Sequence, residues 1–292
     1  MPPEFTPSQP LNQQNVQILV TGARGFIGAT LVPRLRERKI EIVTYDGDVK
    51  DMASFPSPAN LVIHLAARPA REEGTRSAAE AMQANIIGIQ AVMEYARRHS
   101  CGIVFTSTCA VYGAAAENRN LREDDPPRPR GWNGLGKLLS EEILSFAAGL
   151  HGFGAIILRL FNVYGVGQPR GYLVSDAIHS LAAREPIRLR NPRAVLDFVH
   201  VDDVCDAILR AIPLAASGGT QIFNIGTGKG TRVADVAKRL ARLAGSRQEI
   251  IEEGLPGEDI RVVADPSAAE RQLKWTARLD LPAGLAVTLP SR

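Results

Sequence analysis

Three glycines spaced three residues apart follow a short apolar strand and precede an amphipathic helix. The segment reads TGARGFIG, with Gly22, Gly25 and Gly28 at the three positions. The first glycine permits a tight turn, the second lets the backbone approach a pyrophosphate, and the third permits close packing of helix on strand. A pyrophosphate there would meet the positive end of the helix. The spacing and its context predict a dinucleotide-binding loop.

An acidic residue closes the second predicted strand, where the adenosine ribose of a dinucleotide would be bound. Asp46 ends the segment IEIVTYD. A carboxylate at this place hydrogen-bonds the ribose and repels a 2′-phosphate, which favours NAD. Arg24, inside the glycine loop, is the opposing signal, because a guanidinium there would bind a 2′-phosphate. The sequence therefore predicts NAD, with NADP as the alternative.

The elements that must position these residues alternate along the first half of the chain. The runs VQILVTG, IEIVTYD, ANLVIHLAA, GIVFTST and GAIILRLFNVYG are typical of buried strands. Segments with helical spacing lie between them, and Leu31, Val32 and Leu35 share one face of the first. Strands that alternate with helices predict an α/β fold with a Rossmann-type doubly wound parallel sheet.

The second half is less regular, and no repeat or long linker separates independent domains. We predict a disordered leader over residues 1–15, which are rich in Pro, Gln, Ser and Asn. The dinucleotide-binding domain is predicted over residues 16–167, with a return segment at about 196–227. Residues 168–195 and 228–292 are predicted to form a smaller substrate-binding cap.

The bulk composition excludes several classes of partner. The net charge is +3 and the basic residues are scattered, which argues against nucleic acid. No apolar stretch approaches the ~18 residues that would span a bilayer, so no membrane contact is expected. Cys101, Cys109 and Cys205 lack metal-ligand spacing. We therefore predict no metal, buried free thiols and a cytoplasmic location.

A series of motifs runs through almost the whole chain. They are TGARGFIG, DVKD, HLAA, Asn85 in NIIG, FTSTCAVYG, Lys137, RLFNVYG, DFVHVDDV and FNIGTG. In this order they resemble the extended short-chain dehydrogenase/reductases of the NAD-dependent epimerase/dehydratase type, from about Val16 to Leu289. The resemblance implies hydride transfer on a nucleotide-diphosphate sugar.

The resemblance also implies which residues hold the cofactor. Asp51 would lie at the adenine, and the segment after His64 would line the cofactor channel. The short stretch between the second strand and DVKD leaves open whether Asp46 or Asp48 meets the ribose. The predicted cofactor site consists of Gly22, Arg24, Gly25, Phe26, Ile27, Gly28, Asp46, Asp51, Leu65, Ala66, Ala67, Asn85, Thr106 and Lys137.

Further roles carried over from the family concern the substrate. Thr108 would hydrogen-bond the sugar oxygen that is oxidised or reduced. Lys137 would bind the nicotinamide ribose and lower the pKa of its catalytic partner. Asn162 and Arg261 would hold the diphosphate, as suits a guanidinium fork. The predicted substrate site consists of Tyr112, Asn162, Tyr172 and Arg261.

One position departs from the family pattern. The family's catalytic pair is Tyr-x-x-x-Lys, and four residues before Lys137 the chain has Asn133. An amide donates a hydrogen bond but is no acid or base near neutral pH. The chain could be a disabled variant, or a natural relative with altered or no chemistry. Alternatively Tyr112, Tyr164 or a water held by Thr108 could take the role.

The sequence leaves two candidate functions open. The first is an NAD(P)-dependent sugar-nucleotide epimerase or 4-ketoreductase, with Thr108, Asn133 and Lys137 as the catalytic set. Dehydratases of the family place an acidic pair after the active-site Thr, whereas this chain has Cys109-Ala110. The second is a catalytically silent protein that binds dinucleotide and nucleotide sugar, which Asn133 supports.

Two long predicted helices suggest a homodimer. They span about Ala78–His99 and Gly136–Gly149, and both carry apolar positions on more than one face, as Ile86, Ile87, Ile89, Val92 and Met93 show. Such a helix needs a second surface to cover it. The family commonly pairs these helices between subunits.

Overall fold

The computed structural model describes residues 17–49, 51, 54–56, 58–67, 75–113, 119–253 and 260–290. The predicted leader, residues 1–15, lies outside the described residues. The strands are β1 (Gln17–Thr21), β2 (Glu41–Tyr45), β3 (Leu61–His64), β4 (Gly102–Thr108), β5 (Ala155–Leu160), β6 (Asn162–Tyr164), β7 (Ile187–Leu189), β8 (Val195–His200), β9 (Thr220–Ile225), β10 (Gly230–Arg232), β11 (Ile250–Glu252) and β12 (Arg261–Val262). The helices are α1 (Phe26–Glu37), α2 (Thr75–His99), α3 (Trp132–His151), α4 (Leu173–Ala183), α5 (Val201–Ala216), α6 (Val233–Leu243) and α7 (Leu281–Thr288).

The chain forms two compact units. The first contains the described residues up to Gly113, Pro126–Arg159 and Cys205–Phe223. Its sheet has the strand order β2-β1-β3-β4-β5-β9, and β1 pairs in parallel with β2 and β3. This parallel sheet, built from strands that alternate with helices, confirms the predicted α/β class.

The second unit contains the segment that ends at Asp125, Leu160–Val204 and the described residues from Asn224 onward. The sequence division placed residues 119–125, 160–167, 196–204 and 224–227 with the dinucleotide domain, whereas the structure groups them here. The reason is a separate sheet in which β8 pairs with β6, β10 and β12. Strand pairing of this kind leaves little trace in the local sequence.

The core of the first unit lies between the central sheet and the helices α2 and α3. Ile89 and Val92 of α2 pack with Leu144 of α3 against Ile103 and Ile157 of the sheet. All five are fully buried. Burial of each such side chain contributes about 1.5–3 kcal/mol, so this layer fixes α3 firmly on the sheet.

Helix α3 begins earlier than the predicted Gly136. Glycines such as Gly134 and Gly136 disfavour helix interiors by their intrinsic propensity. In the structure both are helical because their neighbours leave no room for a Cβ atom. A Cβ at Gly134 would lie 2.4 Å from the Ala110 carbonyl oxygen, and one at Gly136 would lie 2.7 Å from the Met82 side chain. Close packing therefore outweighs propensity here.

Candidate active site

The glycine loop joins β1 to α1. Gly22 has φ +72°, a left-handed conformation that glycine adopts without strain. A Cβ at Gly28 would lie 2.4 Å from the Gly22 carbonyl oxygen, so the loop and the helix pack as the spacing predicts. The loop thus brings the start of α1, with Phe26 and Ile27, against the end of the first strand.

The N-terminus of α1 suits an anion. Gly25 is its N-cap, no side chain caps the helix, and its first turn carries no acid. A Cβ at Gly25 would have only the Gly22 carbonyl oxygen near it, at 3.2 Å. Open backbone N–H groups and the helix dipole favour a diphosphate at this place. The residues present therefore fit the pyrophosphate of a dinucleotide.

The segment after β3 lies beside this loop. The Leu65 amide donates to the Thr21 carbonyl oxygen at 3.1 Å, and the Ala66 amide donates to the Thr21 hydroxyl at 3.5 Å. A Cβ at Gly22 would lie 2.7 Å from the Ala66 nitrogen. The structure thus brings Leu65 and Ala66 next to the glycine loop, as expected for one cofactor site.

Asp46 and Arg24, the two opposing cofactor signals, form a salt bridge. The Arg24 Nε lies 3.1 Å from the Asp46 Oδ2, and the Arg24 side chain is 78% exposed. The guanidinium therefore contacts the carboxylate that is predicted to bind the ribose. Farther along, the Ser54 hydroxyl hydrogen-bonds the Asp51 carboxylate.

Removal of the Asp46 carboxylate should shift cofactor preference toward NADP. In Asp46→Ala the repulsion of a 2′-phosphate disappears and Arg24 is released to bind it, so NADP should gain roughly tenfold or more relative to NAD. Calorimetry with both cofactors measures the ratio. Asp48→Ala is the matched control on the same loop. If Asp48→Ala shifts the ratio and Asp46→Ala does not, Asp48 is the ribose ligand. Wild-type protein that binds NADP tenfold more tightly than NAD would contradict the NAD prediction.

Lys137 is buried in the first unit. Its Nζ donates to the Thr106 carbonyl oxygen at 2.7 Å and lies 4.5 Å from the centre of the Phe105 ring. Burial lowers the pKa of Lys137 from 10.5 to about 8, and Glu141 partly opposes the shift. Lys137 therefore keeps its charge at neutral pH but loses it in mildly alkaline solution.

His64 lies beside Lys137 and is neutral. Its Nδ1 is 2.7 Å from the Thr21 hydroxyl oxygen, and its ring stacks on Phe105 at 5.7 Å. Burial, and next the charge of Lys137, lower the pKa of His64 to about 3. The Thr106 hydroxyl donates to the His64 carbonyl oxygen at 3.3 Å. His64 therefore aligns the strand ends and is an uncharged imidazole at neutral pH.

Thr108 and Asn133 lie on two segments that pack against each other. The Thr108 hydroxyl accepts a hydrogen bond from the Ala110 amide at 3.2 Å and caps a 3-10 turn. Gly134 packs on the Ala110 carbonyl, so the first turn of α3 closes onto this turn. Asn133 is exposed in that first helical turn, one turn before Lys137. The structure therefore brings the predicted catalytic segments together.

A buried ion pair beneath this site was missed from the sequence. The Glu141 carboxylate accepts bonds from the Arg159 guanidinium at 2.7, 3.1 and 3.2 Å, and it also accepts from the Ser107 hydroxyl. Both side chains are at most 5% exposed. An Arg inside the apolar strand AIILRL and a Glu one turn after Lys137 were the available signals, since buried charges need partners.

Two tyrosines considered as stand-ins for the missing phenol are buried, and the Tyr164 hydroxyl has no hydrogen-bond partner among the described residues. Tyr112 is 2% exposed, and its hydroxyl accepts from Arg159 at 2.8 Å. This does not favour the predicted substrate role of Tyr112. Tyr164 is 1% exposed, and burial raises the pKa of its phenol. Its hydroxyl is so close to Gly284 that a Cβ there would lie 2.0 Å away.

The remaining predicted substrate residues belong to the second unit. The Asn162 amide donates to the Asp197 carbonyl oxygen at 3.0 Å. The Arg261 Nη2 donates to the Asn120 Oδ1 at 2.8 Å, and its buried Nε has no hydrogen-bond partner among the described residues. Tyr172 precedes α4 and is 49% exposed. Their roles stay predictions.

The remaining expectations concern the cysteines, a metal site, membrane-spanning helices and Asn85. Cys101 and Cys205 are buried free thiols, but Cys109 is only half buried in the 3-10 turn, so its predicted burial is wrong. The described residues contain no group of acidic, His and Cys side chains that could hold a metal. None of the helices in the described ranges is long and apolar enough to cross a bilayer. Asn85 lies in α2, and its cofactor role stays a prediction.

The fold and the site define an α/β enzyme of the Rossmann class that binds a dinucleotide. Comparison with known proteins narrows the class, because residues 18–226 match the NAD dependent epimerase/dehydratase family. The putative UDP-glucose 4-epimerase of Methanocaldococcus jannaschii is 30% identical, over 92% of this chain and 95% of that protein. The UDP-glucose 4-epimerase of Azospirillum brasilense is 27% identical, over 90% of this chain and 88% of that protein.

Solved structures of two proteins are similar to this chain over most of its length. The UDP-glucose 4-epimerase of Thermotoga maritima with UDP-glucose has a TM-score of 0.85 at 28% identity, covering 94% of this chain and 97% of that chain. MoeE5 in complex with UDP-glucose and NAD has a TM-score of 0.86 at 30% identity, with the same coverage. This chain belongs to the NAD-dependent epimerase/dehydratase family, a family of enzymes that act on sugar nucleotides with NAD as cofactor.

Proposed function

We propose that the chain acts at a sugar carbon of a nucleotide-diphosphate hexose as an NAD-dependent 4-epimerase, with 4-ketoreduction as the other reaction. The observation that carries the proposal is the environment of Lys137. Its buried Nζ sits at the end of β4, with the Thr108 turn and Asn133 on adjoining segments. The names of the similar proteins, UDP-glucose 4-epimerases, support the substrate class.

The residues of this chain have separate roles in the proposal. NAD, when bound, supplies the acceptor and donor of the hydride. Lys137 binds the nicotinamide ribose, and Thr108 orients the reacting hydroxyl through the oxygen that also receives the Ala110 amide. Asn162 and Arg261 hold the diphosphate, where the unpaired Nε of Arg261 offers a donor. Cys109 and Ala110 stand where dehydratases of the family carry an acidic pair, which argues against ordinary dehydration.

A second candidate is a binding protein with little or no turnover. Asn133 favours it, because the amide at the start of α3 cannot take or give the proton of a sugar hydroxyl. A water held by Thr108 is the remaining alternative base, since both tyrosines are buried, Tyr112 accepts from Arg159, and burial raises the pKa of Tyr164. Loss of a positioned acid or base typically costs ~10²–10⁴ in rate, which makes slow turnover as compatible as none.

The test is to titrate NAD-loaded protein with UDP-glucose and UDP-galactose and to measure their interconversion. We expect both sugars to bind and to interconvert slowly. Lys137→Met keeps the apolar stem and removes the charge, so it should abolish turnover while the nucleotide sugar still binds. Binding without interconversion would support the silent protein, and absence of nucleotide-sugar binding would contradict both candidates.

We also propose a homodimer formed by α2 and α3. Apolar side chains are exposed along these helices: Leu139 38%, Phe146 73% and Leu150 64% on α3, and Ile87 37% on α2. The three positions on α3 repeat at helical spacing, so they form one stripe. An apolar stripe of this size favours a protein partner over water.

The oligomeric state tests this surface. Light scattering should give twice the chain mass of 31.5 kDa, and Phe146→Glu with Leu150→Glu should give the monomer. The paired charges cannot be buried between two copies without a partner. Val287→Glu, at another exposed apolar position (56%), is the control and should leave the dimer intact. A wild-type monomer at micromolar concentration would rule the dimer out.

A further inference from the structure

A cavity lies wholly within the second unit. Its volume is about 420 Å³, and it is lined by β8, the turn between β9 and β10, α6, and the segment that leads into α7. It includes none of the predicted substrate residues Asn162, Tyr172 and Arg261. The volume is that of a typical small-molecule site.

One wall of the cavity is fixed by a buried carboxylate. Asp197 is fully buried, and it accepts bonds from the Thr227 amide at 2.9 Å, the Thr227 hydroxyl at 2.7 Å and the Gly228 amide at 2.9 Å. The Ala264 amide adds a fourth bond at 3.2 Å. These bonds hold the turn that presents Lys229 to the cavity.

A second buried carboxylate fixes the opposite wall. Asp203 is 4% exposed and accepts from the Arg278 amide at 3.0 Å and the Leu279 amide at 3.1 Å. The buried Trp275 indole donates to the Asp203 carbonyl oxygen at 2.9 Å. Both walls are therefore preformed, which reduces the ordering cost of binding a ligand.

Three cationic and two acidic side chains line the cavity, a net charge of +1. Lys229, Arg239 and Arg278 do so from three different segments, against Glu270 and Asp280. The Asp280 carboxylate also caps α7, where it accepts from the Ala283 amide at 2.9 Å. In the described part of the chain, neither Lys229 nor Arg239 forms a salt bridge. Two cations without an ion-pair partner at a preformed cavity favour an anionic ligand.

We propose that this cavity binds a small phosphorylated metabolite. Lys229 and Arg239 bind the phosphate, and Phe198, Pro266 and Leu281 contact the less polar part of the ligand. An Arg fork beside a Lys ammonium is well suited to phosphate oxygens. The site is separate from the one proposed for the nucleotide sugar, so either can exist without the other.

Calorimetric titration of the full chain with inorganic pyrophosphate tests this site. Lys229→Ala with Arg239→Ala should weaken binding by roughly tenfold or more, since two charge-assisted contacts are lost. Lys238→Ala with Arg242→Ala removes the same charge from exposed positions of α6 outside the cavity, and it should leave the affinity unchanged. Arg261 lies outside the cavity, so Arg261→Ala should still bind pyrophosphate, and that binding should still be weakened by the Lys229 and Arg239 substitutions.

Three results would overturn the proposal. The first is no pyrophosphate binding by the wild-type protein. The second is an equal loss in the Lys238 and Arg242 variant, which would mean diffuse attraction to the surface. The third is complete loss in Arg261→Ala, which would place all of the binding at the nucleotide-sugar site. Circular dichroism of each variant confirms that the chain is folded.

Discussion

Asn133→Tyr is expected to raise turnover of a nucleotide sugar by ~10²–10⁴, the usual contribution of a positioned acid or base. The position lies one helical turn before Lys137, so a phenol there would share a face with the ammonium. The charge of Lys137 would lower the phenol pKa. Since the pKa of Lys137 is about 8, this benefit should decline as the pH rises above that value.

The other residues of the proposed site are already held in place near position 133. Lys137 is held by Thr106, and Thr108 is fixed by the turn on which α3 packs. Asn133 is exposed, so the larger ring does not have to enter the core. Only the proton-transfer group is missing, and orientation of the reactants does not have to be rebuilt.

Single-turnover measurements of nicotinamide absorbance across a panel of nucleotide sugars show whether Asn133→Tyr increases turnover. Asn133→Phe is the matched control, because it has the ring without the hydroxyl and should show no gain. If Asn133→Tyr shows no gain with any sugar, although both proteins bind NAD, the chain is not a disabled epimerase. Altered chemistry or a binding role would then remain.

The cofactor half of the site follows from the sequence because its determinants are local. Gly22, Gly25 and Gly28 act through backbone conformation and close packing within one strand–turn–helix unit, so their spacing carries the information. Asp46 directly follows the adjacent strand β2, and its role at the ribose stays a prediction. Its salt bridge with Arg24 was not predicted, because the two signals were considered as competitors and no local pattern pairs them.

The support beneath the catalytic segment could not be predicted in the same way. Glu141 and Arg159 lie on α3 and β5, and their contact exists only once the helix packs on the sheet. The early start of α3 depends likewise on Ala110, a residue distant in sequence that leaves Gly134 no room for a side chain. Tertiary contacts of this kind override local propensity.

Loss of the Glu141 carboxylate should have the largest effect on stability. In Glu141→Ala the Arg159 guanidinium stays buried without its counter-ion, and breaking such a pair costs about 3–5 kcal/mol. The matched control is Glu94→Ala, which removes an ion pair with Arg97 and Arg98 at the surface. Exposed pairs contribute at most about 1 kcal/mol, so the control should change little. Urea unfolding of both variants measures the difference.

A double substitution separates the charge from the packing. Glu141→Met with Arg159→Met removes both charges while keeping apolar volume, so it should be far less destabilising than either single change. Some cost remains, because the Tyr112 hydroxyl then loses the guanidinium that donates to it at 2.8 Å. Glu141 also opposes the lowering of the Lys137 pKa, so its loss should move that pKa further below about 8. If Glu141→Ala and Glu94→Ala destabilise equally, the buried pair does not anchor α3, and Lys137 is positioned by its bond to Thr106 alone.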